Sequence, residues 1–489
     1  MLPDLKERLR AYTDVFNAED EELYREEIPN DQAYAYLLQN APLLDCPDKD
    51  LERTYYYRWW TFRKHWKQTP HGHVITEFMP PVGWAGPYNT INCALGHHLR
   101  EARWLKNGDG RLWEYIRFWL DGHGDAFGYS CWFSSAVEDC FSLHPNETLM
   151  REFVPKLDVW FREWETRQLR PCGLFWSNDG HDGMEYSISG PGIRPTLNSY
   201  LCADAFAIAR MAKLIGMNDL AEDYTARGDA LKKAIDRLLW DGDFYRTIPC
   251  GKNDKADWVL RPPVPAEHKV RELVGYIPWY FRLPGLDKDF VFSQLFETDG
   301  FSAPFGLTTA EQRHPRFMFA HSHECLWNGY VWPYATAQTL TAAANVIRDR
   351  GDSSPISADA FYALLRQYAL SHRIEDEDGT ERDWIDEDMD PFTGRWYARD
   401  ELLRRRWHLL GGVPERGKDY NHSTFCDLVL SGLLGIHLED GELLADPILP
   451  DTWDYFMVTG LTQDNWTVIY DKDGSHYGKG TGLRCFKAE

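Results

Sequence analysis

The chain has 489 residues, and its 76 acidic side chains outnumber 53 basic ones, for a formal net charge of −23. Such a charge repels phosphate backbones and argues against a nucleic-acid partner. No run approaches the roughly 20 apolar residues that a membrane span needs, and the opening Met1-Leu2-Pro3-Asp4 lacks the apolar core of a secretory leader. Ten scattered cysteines without a CxxC pair read as reduced thiols, which points to a cytoplasmic protein. Aromatic residues reach 15%, with 21 Trp and 25 Tyr. Large rings stabilise a core, and a surplus among polar neighbours also suits stacking on sugars.

No Pro/Gly/Ser-rich linker divides the chain, so one large domain with short appendages is expected, rather than the roughly three that length alone suggests. Residues 1–50 are acidic and read as an N-terminal helical arm. Helices are expected over 89–105, 112–120, 132–141 and 147–168. A helical hairpin follows, with small and apolar residues at helical spacing over 196–215 and a second helix over 218–240. Gly216 suits the left-handed end of the first helix, and Asn218 suits the cap of the second. Further helices are expected over 333–348, 357–372 and 423–436, the last capped by Ser423 or Thr424. Paired helices joined by loops rich in Trp, Gly, Pro and Asp imply an all-α fold, an (α/α)6 toroid over 51–440 with function on its rim. After Asp440 the runs shorten, as in Trp466-Thr-Val-Ile-Tyr470, so 441–489 reads as a small β-rich appendage.

Five loops stand out. Residues 176–187 place Asp179, His181, Asp182 and Glu185 among Trp176, Met184 and Tyr186. An acidic turn would be solvated, but these apolar neighbours argue for partial burial, which raises a carboxyl pKa toward what a general acid needs. In 383–394, Asp386, Glu387 and Asp388 are anchored by Trp384, Ile385, Met389 and Phe392. The stretch 321–332 carries His321, His323, Glu324, Trp327 and Trp332. Two His and one Glu do not make a zinc site, so a hydrogen-bonding rim with stacking indoles is the reading, and no metal is assigned. In 416–425, either Ser423 or Thr424 serves only to cap the next helix, or Asp419, Tyr420, Asn421 and His422 contact sugar hydroxyls. In 77–90, Trp84, Tyr88 and Asn89 line a subsite or belong to the core. The adjacent His97-His98 reads as core.

In their order along roughly residues 50–440, these loops resemble the inverting glycosidases of the clan that holds glycoside hydrolase family 63 and the trehalases. Gly183-Met-Glu-Tyr-Ser187 is similar to that family's Gly-Met-Asp-Asn-Ser acid motif, with Glu185 in place of Asp. Glu387-Asp-Met-Asp-Pro-Phe-Thr-Gly394 matches its Glu-x-x-x-Pro-x-Thr-Gly base motif, and Trp327-Asn-Gly-Tyr-Val-Trp332 its Trp-x-Gly-x-x-Trp motif. Asn89 stands near where an aspartate gripping the sugar is expected. The departures place the chain on a divergent branch, similar to domains of plant-polysaccharide degraders such as family 142 β-L-arabinofuranosidases.

The resemblance implies an exo-acting, inverting glycosidase on a small carbohydrate or oligosaccharide, with no cofactor. Glu185 would protonate the leaving oxygen, with Asp182 as the alternative acid, and Glu387 would activate water. Inversion needs the two carboxyls roughly 6.5–9.5 Å apart, whereas about 5 Å implies retention. Trp84, Trp327 and Trp332 would form the sugar platform. Trp176, Tyr88, Asn89, Asp179, His323, Glu324, Asn421 and His422 would contact the sugar. Two rivals remain: a sugar epimerase or isomerase working through His323 or His422, and a non-catalytic glycan-binding scaffold. The sugar, its linkage and the oligomeric state are left open.

Overall fold

A computed structural model describes residues 4–106, 110–251, 269–376, 378–407, 413–478 and 480–487. It is mainly helical, with a few small sheets. Near the N-terminus, α1 (Leu5–Glu19) and α2 (Ala33–Asn40) lie against α3 (Lys49–Lys64). Both α1 and α3 begin at an aspartate, Asp4 or Asp48, whose carboxylate accepts from the first free amides. The body continues with α4 (Leu95–Ala102), α5 (Arg111–Leu120), α6 (Phe133–Leu143) and α7 (Glu147–Gln168). The expected hairpin follows as α8 (Pro195–Leu214) and α9 (Asn218–Leu238). Then come α10 (Ile277–Tyr280), α11 (Pro333–Arg350), α12 (Ala358–Leu370) and α13 (Tyr397–Arg404).

Burial sorts the helices into two layers. α7 buries one stripe, Met150, Phe153, Val154, Leu157, Trp160, Phe161 and Trp164, at the three-and-four spacing of an outer helix. α8 and α11 are buried on nearly all faces. Helices pack in succession, α4 on α6, α6 on α8, α8 on α10, α10 on α11, α11 on α12, and α12 on α3. One contiguous apolar cluster runs from Leu5 to Tyr477. Among the described residues, no helix is long and apolar enough to cross a membrane.

Several boundaries differ from expectation, each for a physical reason. The helix expected from residue 89 starts only at Leu95, because Asn89 takes a left-handed conformation (φ 55°) in a turn. Gly216 is left-handed as expected (φ 79°), but Asn218 is already inside α9, whose cap residue Met217 makes no side-chain cap. The segment 423–436 forms a short π-helix, Leu428–Leu433. Neither Ser423 nor Thr424 caps it. Glu101 of α4 accepts instead from the amides of Phe425, Cys426 and Asp427. α3 carried no amphipathic signal, since every residue from Thr54 to Lys64 is buried.

The largest sheet has four antiparallel strands, in the order Leu43–Asp45, Tyr455–Leu461, Trp466–Asp471 and Gly482–Lys487. Its register places Leu44 opposite Val458, Val458 opposite Val468, and Val468 opposite Cys485. A strand from the N-terminal segment is thus paired to strands near the C-terminal end of the chain.

Candidate functional site

The five loops singled out in the sequence are laced together by backbone hydrogen bonds. Trp327 N donates to Glu185 O at 3.0 Å, tying 321–332 to 176–187. Val331 and Met389 exchange two bonds of 2.9 Å, tying 321–332 to 383–394. Asp419 N donates to Ile385 O, and Asn421 N to Glu77 O, each at 3.0 Å, which brings in 416–425 and 77–90. The loops form one rigid seat for side chains that are far apart in sequence.

Glu185 lies there close enough to sense the charge of Glu387, which gathers with Glu324 around one cation, Arg416. Its guanidinium is buried and forks, Nη2 donating to Glu387 Oε1 at 2.6 Å and Nη1 to Glu324 Oε1 at 3.0 Å. A planar fork with a fixed positive charge suits two carboxylates at once. Burial pushes the Glu387 carboxyl upward, and the Arg416 ion pair opposes that shift. Glu185 has no such cation. Its Oε2 accepts only the Cys325 thiol, at 2.9 Å, and burial leaves its carboxyl raised, with the charge of Glu387 adding to the effect. The two carboxyls sense each other yet sit in opposite surroundings, one ion-paired and one facing a thiol.

The indoles of Trp327 and Trp332 stack with centroids 4.6 Å apart, and both are buried. Trp84 is 45% exposed, and Arg416 lies 5.3 Å above its ring. It is the indole best placed to meet a ligand. Beside it, Trp84, Tyr88, Phe118, His123 and Tyr129 line a cavity of about 210 Å³. His323 is half-buried, its ring 5.2 Å from Tyr186. Among the described residues, no three His, Cys, Asp or Glu side chains are grouped to hold a metal.

Other candidates have structural duties. Asp182 is completely buried, and both its oxygens are engaged, Oδ1 by Ser130 and Ser177 and Oδ2 by Arg194 Nε at 2.5 Å. It cannot reach a substrate, and its work is to hold the 176–187 turn. In that turn Gly183 is left-handed (φ 68°), and a Cβ there would lie 2.6 Å from Cys93 Sγ. Asp179 bonds the Gly180 amide at the head of the same turn. Trp176 is buried and donates to Cys250 O. Asn89 folds its own loop, accepting from Val82 N and donating to Phe78 O and Pro80 O. Asn421 bonds Thr76 and His98 through its side chain and carbonyl. His422 is buried against Tyr420 (3.9 Å, stacked) and Trp332, and burial pushes its pKa well down, so it is neutral.

Sequence reasoning assigned no role to Glu77, Cys325 or Arg416, and it offered Tyr420 only as a sugar contact, not as the partner of Glu77. Glu77 is buried and takes the Tyr420 hydroxyl on Oε1 at 2.7 Å. Arg416 read as part of a loop, and only the fold shows that it joins Glu324 to Glu387 across 92 and 29 residues. A carboxyl inside the apolar run Glu77-Phe-Met-Pro-Pro-Val was the one available signal for Glu77.

Residues 87–423 match the model of the mannosylglycerate hydrolase MGH1-like glycoside hydrolase domain. The chain belongs to this family. Glu185, Glu324, Glu387 and Arg416 lie inside the matched span of the MGH1-like domain, whereas Glu77 and Trp84 precede it. A solved structure named Sialidase is similar to 99% of this chain at TM-score 0.87 and 34% identity, over 43% of its own length. Two more remote structures share the fold of the MGH1-like chain. One is the GH63 mannosylglycerate hydrolase of Thermus thermophilus in complex with glucose (TM-score 0.52, 15% identity, 77% of this chain and 98% of that one). The other is the α-L-rhamnosidase of Streptomyces avermitilis complexed with L-rhamnose (TM-score 0.57, 13% identity, 91% and 37%). An uncharacterized protein of Borreliella burgdorferi is 23% identical over 210 residues, 40% of each chain. The chain thus spans less than half the length of both the Sialidase structure and this curated relative.

Proposed function

We propose that this MGH1-like domain hydrolyses a terminal glycosidic bond with inversion, on the rim of an (α/α)6 toroid. In this reading Glu185 is the general acid and Glu387 the general base. The observation that carries it is the contrast between the two carboxyls. Glu387 is ion-paired to Arg416, which opposes the upward push of burial on its carboxyl, while Glu185 accepts a thiol and is raised by burial and by the charge of Glu387. Two neighbouring carboxyls with different partners, one a guanidinium and one a thiol, suit the division into base and acid roles. Trp84 and the cavity next to it would receive the sugar and its leaving group.

Even with Glu77 and Glu185 in their acid forms, Glu324 and Glu387 outnumber the one guanidinium of Arg416, which disfavours an anionic sugar, so a neutral glycoside is the substrate class, on an oligosaccharide or smaller glycoside. The epimerase reading works through His323 or His422; burial pushes the His422 pKa well down, which leaves His323 as the histidine that reading would use. The ten cysteines are free thiols, seven of them buried, which supports a reducing, cytoplasmic setting.

The test incubates wild type and Glu387→Gln with aryl glycosides, plant oligosaccharides and a sialoside, following first product by proton NMR. Release of a neutral sugar in the inverted anomeric form, abolished in the variant, is the expected result. Retained configuration would recast Glu387 as a nucleophile. Binding that is equal in both proteins, without turnover, would favour a glycan-binding scaffold.

A further inference from the structure

The acidic cluster holds a carboxyl that neither the acid nor the base role uses. Glu77 lies just past the strand Gly72–Ile75, and its backbone carbonyl is fixed by Asn421 N at 3.0 Å. Its side chain is 2% exposed. Oε1 accepts the Tyr420 hydroxyl, but Oε2, equally buried, has no hydrogen-bond partner among the described residues. Leaving a buried carboxyl oxygen unpaired costs roughly 1–3 kcal/mol, so a position that keeps one close enough to sense the charges of Glu387 and Glu185 invites a ligand group. Tyr420, which orients Glu77, is itself packed between Phe78 at 4.5 Å and His422 at 3.9 Å. The carboxyl is thus held in one pose. Arg416 bonds Glu324 and Glu387.

We propose that Glu77 is a specificity-determining residue of the site, gripping one hydroxyl of the bound sugar through Oε2. The inference rests on the glycosidase reading and adds a contact on the glycone to it. Burial, with the neighbouring charges of Glu387 and Glu185 added and the Tyr420 hydrogen bond opposing, pushes this carboxyl up to about 8. At neutral pH it is therefore a neutral acid. Because Tyr420 donates to Oε1, the proton resides on Oε2 and points at the ligand as a donor. Above that range the group becomes an anion beside two other carboxyls, and the donor is lost.

The experiment uses the glycoside that wild type turns over in the NMR panel, together with its monodeoxy derivatives. Wild type, Glu77→Gln and Glu77→Ala are compared, with thermal midpoints recorded to confirm folding. Glu77→Ala should lower kcat/KM about 100-fold on the parent glycoside, as loss of a buried hydrogen-bond partner does. On one monodeoxy derivative, wild type should already show that loss, and Glu77→Ala should add nothing to it. Glu77→Gln, which keeps a donor toward the sugar, should lose about tenfold at most. It should also be free of the decline that sets in near pH 8 in wild type. Losses that add on every derivative, or an alanine variant that matches wild type, would overturn the proposal. If no glycoside is turned over, the glycosidase reading fails by itself, and binding of glucose, mannose, galactose, arabinose and rhamnose is followed by tryptophan fluorescence. A sugar bound by wild type but not by folded Glu77→Ala still supports the contact, whereas equal binding, or none, overturns it.

Discussion

Arg416 does two things with one guanidinium: it closes a gap between two carboxylates, and it opposes the rise that burial gives the Glu387 carboxyl. Burial alone favours the neutral acid, and the ion pair opposes it. Arg416→Gln should therefore raise the Glu387 pKa. A base works only when deprotonated, so the acidic limb of the kcat/KM profile should move to higher pH. The rate near pH 6 should fall by about 100-fold, within the range a general base supplies. An unmoved acidic limb would show that Arg416 does not control the base. Cys325 provides the opposite handle. Its hydrogen bond lowers the Glu185 carboxyl, so Cys325→Ala should raise it further and extend the basic limb upward, at a cost of about fivefold in rate. A basic limb that shifts down would exclude Glu185 as the acid. The loops that carry Glu185 and Glu387 were legible in the sequence, because acidic residues stood among apolar anchors, while the two glutamates themselves were picked out by the motif resemblance. Arg416 was not, because an arginine in a loop has no local mark of its distant partners.

The 176–187 turn shows how an element converts a buried charge into position. Asp182 and Arg194 are wholly buried and paired, with two serine hydroxyls completing the aspartate. Removing one member of such a pair strands the other, which costs about 3–5 kcal/mol. Asp182→Ala should accordingly lower the thermal unfolding midpoint by several degrees, and activity should be lost along with stability. A variant as stable as wild type but inactive would return Asp182 to the chemistry. Reading Asp182 as a possible acid was reasonable from composition, since a turn of Asp and Gly looks the same whether its carboxylates face solvent or lock the loop. Similar reasoning applies to α3 and the π-helix at Leu428–Leu433. Tyr55, Tyr56, Tyr57, Trp59, Trp60 and Phe62 are buried on every side of α3 and leave no period to read. The helix after His422 is capped by Glu101, more than 320 residues earlier.

Across the whole molecule, buried carboxyls tie stability to pH. Burial raises Asp386 to about 7 and Glu77 to about 8, in both cases with the charge of Glu387 adding to the effect. A group raised on folding contributes stability that is complete below its unfolded value near 4 and is lost as pH rises through its folded value. Asp427 runs the other way. Burial would push it up, but Arg100 and Arg103 outweigh that and hold it well below the usual carboxylate range, so its contribution is lost as pH falls below about 4. The thermal midpoint should thus decline from pH 6 to pH 9 and be lower again in strong acid. Glu77→Gln should flatten part of the alkaline decline. A midpoint that climbs from pH 6 to pH 9 would contradict the raised carboxyls.

By itself the sequence determined the mainly helical class, the hairpin of α8 and α9, the strands near the end of the chain, and the five loops. Those features depend on local spacing, on glycine conformations and on aromatic anchors within a few residues of one another. Only the tertiary structure decided which members of those loops meet. It brought Glu77, Glu185, Glu324, Glu387 and Arg416 together, and it turned Asp182, Asn89 and Trp176 inward to hold the frame. The reason is physical: protonation, ion pairing and access depend on what surrounds a side chain in space, and the surroundings of each of these groups come from segments tens to hundreds of residues away.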